Sequence, residues 1–365
     1  MTNSINRAYI PAVDHLRAFA ALLVFFYHGL QLFGAQLNYG VAFDATKHWI
    51  FTKNPLLAVL EEGHSGVSLF IVLSGFILAT GAINRSINYK IFLLARILRI
   101  YPLLILYVLV AIPTTSAGLL SLLATLLPFG TSGSIASPFT AMFWAVAVEF
   151  QCYLIFPFLI TFSNRLGSRY LVHIIAIAIV MRLLAVMASG TNARDLSYWS
   201  FIGRIDQFCV GIILARFYVL RKFSVINENW LIVSVVIVVG VLWSLNQLGG
   251  WVLIAFWKTF WPTLEAIVWA LFIITYLSAA RRLPQWLGSI WAKLGEISYS
   301  FYLVHFAILV LIIENRLYLR LTGNGNYDAL LTSLFIALPI TTIIAKLTYE
   351  TIELPFLQLR NKYIC

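Results

Sequence analysis

The chain has 365 residues, of which 61% are hydrophobic and only 11% charged, and it carries a formal net charge of +11. A typical soluble domain is about one quarter charged, so this composition excludes an ordinary water-soluble protein and points to repeated bilayer crossings. The positive balance follows from where Lys and Arg sit along the apolar runs, and no nucleic-acid partner is needed to explain it.

In chain order, ten spans are predicted at roughly 16–34, 65–83, 101–115, 139–162, 171–189, 207–220, 230–247, 262–280, 297–315 and 328–348. The fold class expected is therefore an all-α integral membrane protein, a polytopic bundle of about ten transmembrane helices forming one domain over 1–365. The first span is longer than a signal-peptide apolar region and nine more follow, so it is expected to be an uncleaved anchor. The stretch GLLSLLATLLPFG at 118–130 is too short to span and is read as interfacial or re-entrant. With a cytosolic N-terminus, 17 of the 25 Lys and Arg fall on the cytosolic side, seven fall outside and Arg182 lies within a span. That bias is the positive-inside signature and sets the expected orientation. Cys152 and Cys209 fall within spans, which argues against a disulfide framework.

Two ionisable residues lie deep in these spans. His28 sits in HLRAFAALLVFFYHGLQLFG and Glu149 in FTAMFWAVAVEFQCYLIFPFLI. A charge at mid-bilayer costs roughly 2.5 kcal/mol or more, so such groups face a bundle interior or a wet cavity and are candidates for function. Imidazole titrates near neutrality and can take a proton from a hydroxyl. Arg17 precedes His28 by eleven residues, which puts both near one helix face about 16 Å apart. It is either part of a shared cavity or a positive-inside anchor. Glu149, at comparable depth, is expected to orient His28, the alternative being a structural partner for Arg182. In the loop RSINYKIFLLARILRIYP, Arg96 and Arg99 share a helical face and could fork onto phosphates, the alternative being membrane anchoring. Asp206 and Arg204 are expected to pair, Glu353 to anchor the last helix, and His305 to bond within the bundle. The histidines are scattered without ligand-set spacing, so no metal site is expected.

Seven segments occur in a telling order: VDHLRAFAALLVFFYH at 13–28, GVSLFIVLSGFILA at 66–79, RILRIYP at 96–102, FWAVAVEFQCYLIFP at 143–157, GRIDQFCVGIILA at 203–215, ISYSFYLVH at 297–305 and YETIELPF at 349–356. Together they resemble the successive signature segments of the acyltransferase family 3 membrane proteins, over nearly the whole chain. The resemblance implies a ten-helix enzyme that takes an acyl group, usually acetyl, from cytosolic acyl-CoA to a hydroxyl, often of a surface or secreted glycan. By the family pattern His28 matches the essential histidine of the first helix, Arg17 the arginine before it, Arg96 and Arg99 the paired CoA-holding arginines, and Glu149 the acid of a Trp-x-x-x-x-Glu segment. Phe150 and Cys152 stand where the family more often has Glu and Phe. The SGNH-type domain that some relatives carry is not expected in this chain.

The expectation is thus a multi-pass O-acyltransferase, an acetyltransferase by the family's habit, of the bacterial cytoplasmic (inner) membrane. Acyl-CoA would be a donor substrate, no permanently bound cofactor would be needed, and a carbohydrate would be the acceptor. Proteins of glycan synthesis or export are its expected partners. His28 would be the general base or a covalent acyl carrier. The rivals are a secondary transporter or glycan exporter using His28 and Glu149 for protons, and an acyltransferase acting on a small lipophilic molecule. Inverted repeats with broken helices, which would favour the transporter, are not seen.

Overall fold

The computed structural model describes residues 6, 9–114, 118–128, 137–220, 227 and 229–365. Arg7, Arg221 and Lys222, counted above as cytosolic, and the last two residues of the 118–130 segment lie outside the described residues. The described part of that segment holds a helix of six residues, Leu119–Ala124, too short to span.

The helices begin and end where local chemistry dictates. Helix α1 (Pro11–Tyr39) starts on a proline, whose missing N–H costs nothing in a first turn, and stops at Gly40 in the left-handed region. Helices α2 (Gly66–Ala82) and α3 (Tyr89–Ala111) follow, the latter capped by Asn88, whose side chain accepts from Ile91 N. Next come α4 (Phe143–Leu166), α5 (Ser168–Ser189), α6 (Phe201–Leu220), α7 (Trp230–Gln247) and α8 (Trp261–Ala279). Helices α9 (Gln285–Glu296) and α10 (Ser298–Glu314) meet at a bend of 66°.

The last rod, 325–358, is made of α11 (Gly325–Thr332), α12 (Leu338–Thr348) and α13 (Leu354–Gln358), joined by wide π turns at Ser333–Ala337 and Tyr349–Glu353. Pro339 and Pro355 lie just after those turns and lack the N–H that would close an ordinary turn, so the helix widens ahead of them.

Among the described residues eight helices are long and apolar enough to cross a membrane, nine if α9 and α10 count as one broken span. The chain is an all-α, multi-pass membrane protein. The remaining expected span, 207–220, corresponds to α6, which is a full 20 residues but carries Arg204, Asp206 and Arg216. The structure pairs these charges differently from the expectation. Asp206 is bound to Arg182 of α5 at 2.9 Å and not to Arg204, while Arg204 donates to Ser68 of α2 at 2.7 Å. Arg182 is thereby satisfied without Glu149.

Helices α2 and α6 make the most extensive contact in the bundle. They can do so because two glycines face each other's backbones. A β-carbon on Gly75 would fall 2.2 Å from the Phe208 carbonyl oxygen, and one on Gly211 would fall 2.1 Å from that of Val72. Close backbone approach through small residues is how helices associate where the surrounding lipid is as apolar as leucine. The pair forms the wall from which Ser68, Ser74 and Arg204 project inward.

Candidate active site

A cavity of about 220 Å³ enters the bundle at the end where α1 begins. Four guanidinium groups line it: Arg17 of α1, Arg96 and Arg99 of α3, and Arg360 from the tail after α13. The tail returns because Asn88 N donates to the Tyr363 carbonyl at 2.9 Å and Ile87 bridges antiparallel to Ile364. That return carries Arg360 and Tyr363 beneath the start of α3.

Two of the four arginines are already neutralised. Arg17 pairs with Asp14 at 3.2 Å, and Arg99 pairs with buried Glu353 at 3.1 Å. Arg96 is buried against the rings of Phe92, Tyr153 and Tyr363, and neither it nor Arg360 has an ion pair among the described residues. Burial and the nearby charges of Arg99 and Arg96 push Arg360 down to about 10. A guanidinium so perturbed is poised for an anion, because a bound phosphate would relieve both the repulsion and the lost solvation. Of the two arginines expected to fork onto phosphates, Arg99 is engaged by Glu353, while Arg96 lines the cavity together with Arg360. Sequence reading missed Arg360, which looks like a membrane anchor until the tail's return is known.

Glu149 lies on the wall of the same cavity. Its carboxylate accepts from the Ser74 hydroxyl and, at 2.5 Å, from the Tyr153 hydroxyl. No hydrogen bond or ion pair joins it to His28 among the described residues, so the structure does not bring these two together as expected. The cavity is also lined by Tyr302 of α10, whose buried hydroxyl has no partner among the described residues.

One turn further along α10 is His305, and its Nε2 lies 3.1 Å from Nδ1 of His28. His305 Nδ1 in turn lies 2.7 Å from the Tyr302 carbonyl. The proton positions follow from the chain of partners. A carbonyl can only accept, so His305 carries its proton on Nδ1 and presents a lone pair at Nε2. His28 Nδ1 must then donate, and neutral His28 keeps its own lone pair at Nε2, free for a substrate proton. The arrangement has the logic of a base held in one tautomer by an orienting partner, with His305 in the orienting role. The motif ISYSFYLVH contained this residue, but its spacing alone could not say what it touches.

The His28 ring meets that of Tyr27 edge-on at 4.8 Å, and Tyr27 in turn meets the ring of His64 edge-on at 5.5 Å. A second and smaller cavity begins at His64, toward the opposite end of the bundle.

A family model described as an acyltransferase domain matches residues 10–349. A Staphylococcus aureus (strain COL) protein named "Putative O-acetyltransferase" is 26% identical over 392 aligned residues, covering 95% of this chain and 57% of that protein. The protein named "Acyltransferase MdmB" from Streptomyces mycarofaciens is 28% identical over 336 residues, covering 82% of this chain and 79% of its own length. This chain spans little more than half the length of the staphylococcal relative. No solved structure matches the chain.

Proposed function

The chain belongs to the acyltransferase family 3, and on that premise we propose that it is a membrane O-acyltransferase moving an acyl group, acetyl in the first instance, from acyl-CoA to a hydroxyl of a carbohydrate. The observation that carries this reading is the histidine pair. Its hydrogen-bond chain leaves His28 Nε2 unprotonated, and Tyr302, whose carbonyl ends that chain, lines the cavity that also holds the arginines.

In this reading the CoA phosphates are held by Arg96 and Arg360, and the thioester reaches inward toward Tyr302. His28 Nε2 takes the proton of the acceptor hydroxyl as its oxygen attacks the thioester carbonyl, and the unpartnered Tyr302 hydroxyl donates to the oxyanion that forms. Collapse of the tetrahedral intermediate expels the thiolate of CoA, which takes the proton from His28. The products are the ester and free CoA. His305 accepts from Nδ1 throughout, and so stabilises the imidazolium in its passing charged state.

The arginine-lined cavity opens at the end of the bundle that holds the α1 N-terminus. The Lys and Arg bias supports that end as cytosolic and the bacterial inner membrane as the location. The acceptor then comes from the other face, as a lipid-linked or exported polysaccharide. The deciding experiment supplies membranes containing the protein with radiolabelled acetyl-CoA and separates lipid-linked carbohydrate, polysaccharide and small molecules. Label in either carbohydrate fraction that disappears with His28→Ala is expected. Label confined to soluble small molecules would overturn the carbohydrate acceptor, and label indifferent to His28 would overturn the mechanism.

A further inference from the structure

The second cavity, at the end of the bundle opposite the arginine-lined one, has a volume of about 30 Å³ and is walled by Arg194, Arg204, Lys258, Tyr198, Trp251 and Trp261, among others. Its polar atoms are unevenly satisfied. Ser197 Oγ, Arg204 Nη2, Trp251 Nε1 and Trp261 Nε1 are all buried with no partner among the described residues, and all four belong to residues of this one cavity. Each can donate a hydrogen bond, and three of them can do nothing else. A buried donor left unmade is costly, and these four belong to residues of one cavity, so an acceptor bound there would be stabilised.

The charges say what kind of acceptor. Lys258 is 4% exposed, and its ammonium donates only to the carbonyls of Gly250 and Trp251, both at 2.7 Å. It has no ion pair among the described residues. Arg204 donates mainly to neutral groups, Ser68, Gln207 and the Tyr198 carbonyl, with the Glu265 carboxylate at 3.9 Å. That carboxylate is itself occupied by Ser65, Ser68 and Gln207. Arg194 is held by Asp195 and lies 4.6 Å over the face of Trp251. A buried ammonium without a carboxylate is costly unless a ligand brings the negative charge.

Size and walls narrow the choice. One water needs at least 10–15 Å³ of such space, so about 30 Å³ takes two oxygen-sized groups, the dimension of a carboxylate and too little for a sugar ring. The rest of a ligand would lie against Trp261, a half-buried indole of the lining. Flat indole and phenol faces suit the apolar C–H face of a sugar.

We propose that this cavity binds the carboxylate of an acidic saccharide, so that the acceptor is a uronate-bearing glycan held on the far side of His28 from acyl-CoA. The proposal deepens the acyltransferase reading and rests on it for the word acceptor, while the binding site itself does not. Its lining residue His64 is in edge contact with the ring of Tyr27, the chain neighbour of His28.

The test is ligand-observed saturation-transfer NMR on the whole protein in lipid nanodiscs at pH 7, with D-glucuronate, D-glucose and acetate as probes and acetyl-CoA binding measured on the same samples. Glucuronate should receive saturation at its ring protons, well above glucose and acetate. Lys258→Met should weaken glucuronate binding about tenfold or more, and Trp261→Phe, which removes one donor and keeps the ring, should weaken it by a smaller factor. Both variants should bind acetyl-CoA as the wild type does, which establishes that they are folded. Equal signals from glucose and glucuronate, equal signals from acetate and glucuronate, or variants indistinguishable from wild type would each overturn the proposal. Acetyl-CoA binding without glucuronate binding would sink the acidic-acceptor site alone. Glucuronate binding by a protein that ignores acetyl-CoA would instead sink the acyl-CoA reading.

Discussion

His28 Nδ1 lies 3.1 Å from Nε2 of His305, across 277 residues of sequence. Two neutral imidazoles can make that bond in only one direction once the Tyr302 carbonyl has taken the other His305 proton. In the proposed mechanism the free nitrogen of the base is thereby chosen by His305, which acts only through His28.

His305→Leu should therefore lower kcat by about 100-fold or more, on the scale of losing a correctly presented acid–base group, with the KM for acetyl-CoA unchanged. His305 acts through His28, so the pH dependence of kcat should also move in the variant, because the imidazolium loses its acceptor. Steady-state kinetics from pH 5.5 to 9 check this. A variant with a wild-type pH profile and a reduced amount of folded protein would make His305 merely structural.

The arginines separate into two classes. Arg360→Ala and Arg96→Ala should each weaken acetyl-CoA binding about tenfold or more while leaving thermal stability close to wild type, since each loses a charge-assisted bond to phosphate. Arg99→Ala leaves Glu353 buried beside Ser300 without its cation. Breaking a buried pair on one side costs about 3–5 kcal/mol, so this variant should lose thermal stability first. Binding titrations beside melting curves distinguish the classes, and the assignment fails if Arg99→Ala melts normally and Arg360→Ala does not.

The helices were legible because hydrocarbon demands long apolar stretches, and the bundle shows them from α1 onward. Helix α6 was drawn too short for the same reason: Arg204 and Asp206 break the apolar run, and only tertiary packing against Ser68 and Arg182 makes that end of the helix tolerable. Depth in a span could be read roughly, and Glu149 is half-buried about two turns into α4. Azimuth could not, so the expectation that Glu149 reaches His28 failed, and its carboxylate meets Ser74 and Tyr153. His305 and Arg360 show the same limit. Each is placed by contacts between segments hundreds of residues apart, which no local periodicity encodes.

Gly211→Ala tests the α2–α6 wall directly. The added methyl would fall 2.1 Å from the Val72 carbonyl oxygen, and the obstacle is backbone, which cannot rotate away. Forcing such a group into a packed interface costs about 1–3 kcal/mol or separates the helices. The expected outcome is a lower melting temperature and loss of acyl transfer together, since Ser68, Ser74 and Arg204 hang from this wall. Gly240, which has open space where its β-carbon would be, provides the control: Gly240→Ala should leave both unchanged. Equal behaviour of the two variants would show that the close approach is not needed.

Lys258 supplies a pH dependence with a definite sign. Burial pushes its ammonium down to about 8, with Glu62 and Asp195 opposing that shift and Arg194 adding to it. His64, Tyr198, Arg204 and Glu265 complete the charged and titratable groups around the cavity. The folded state therefore releases this proton before the unfolded chain does. Between about pH 8 and the ordinary lysine value the unfolded chain binds more protons, so this group makes the protein more stable as pH rises through that window. Carboxylate binding runs the other way, because only the charged ammonium attracts it. Glucuronate affinity should accordingly be flat from pH 6 to 7 and fall as pH rises through 8, while the melting temperature of the ligand-free protein rises over the same interval. Lys258→Met should flatten both curves. A glucuronate affinity that stays level to pH 9.5 in the wild type would mean that Lys258 does not contact the ligand.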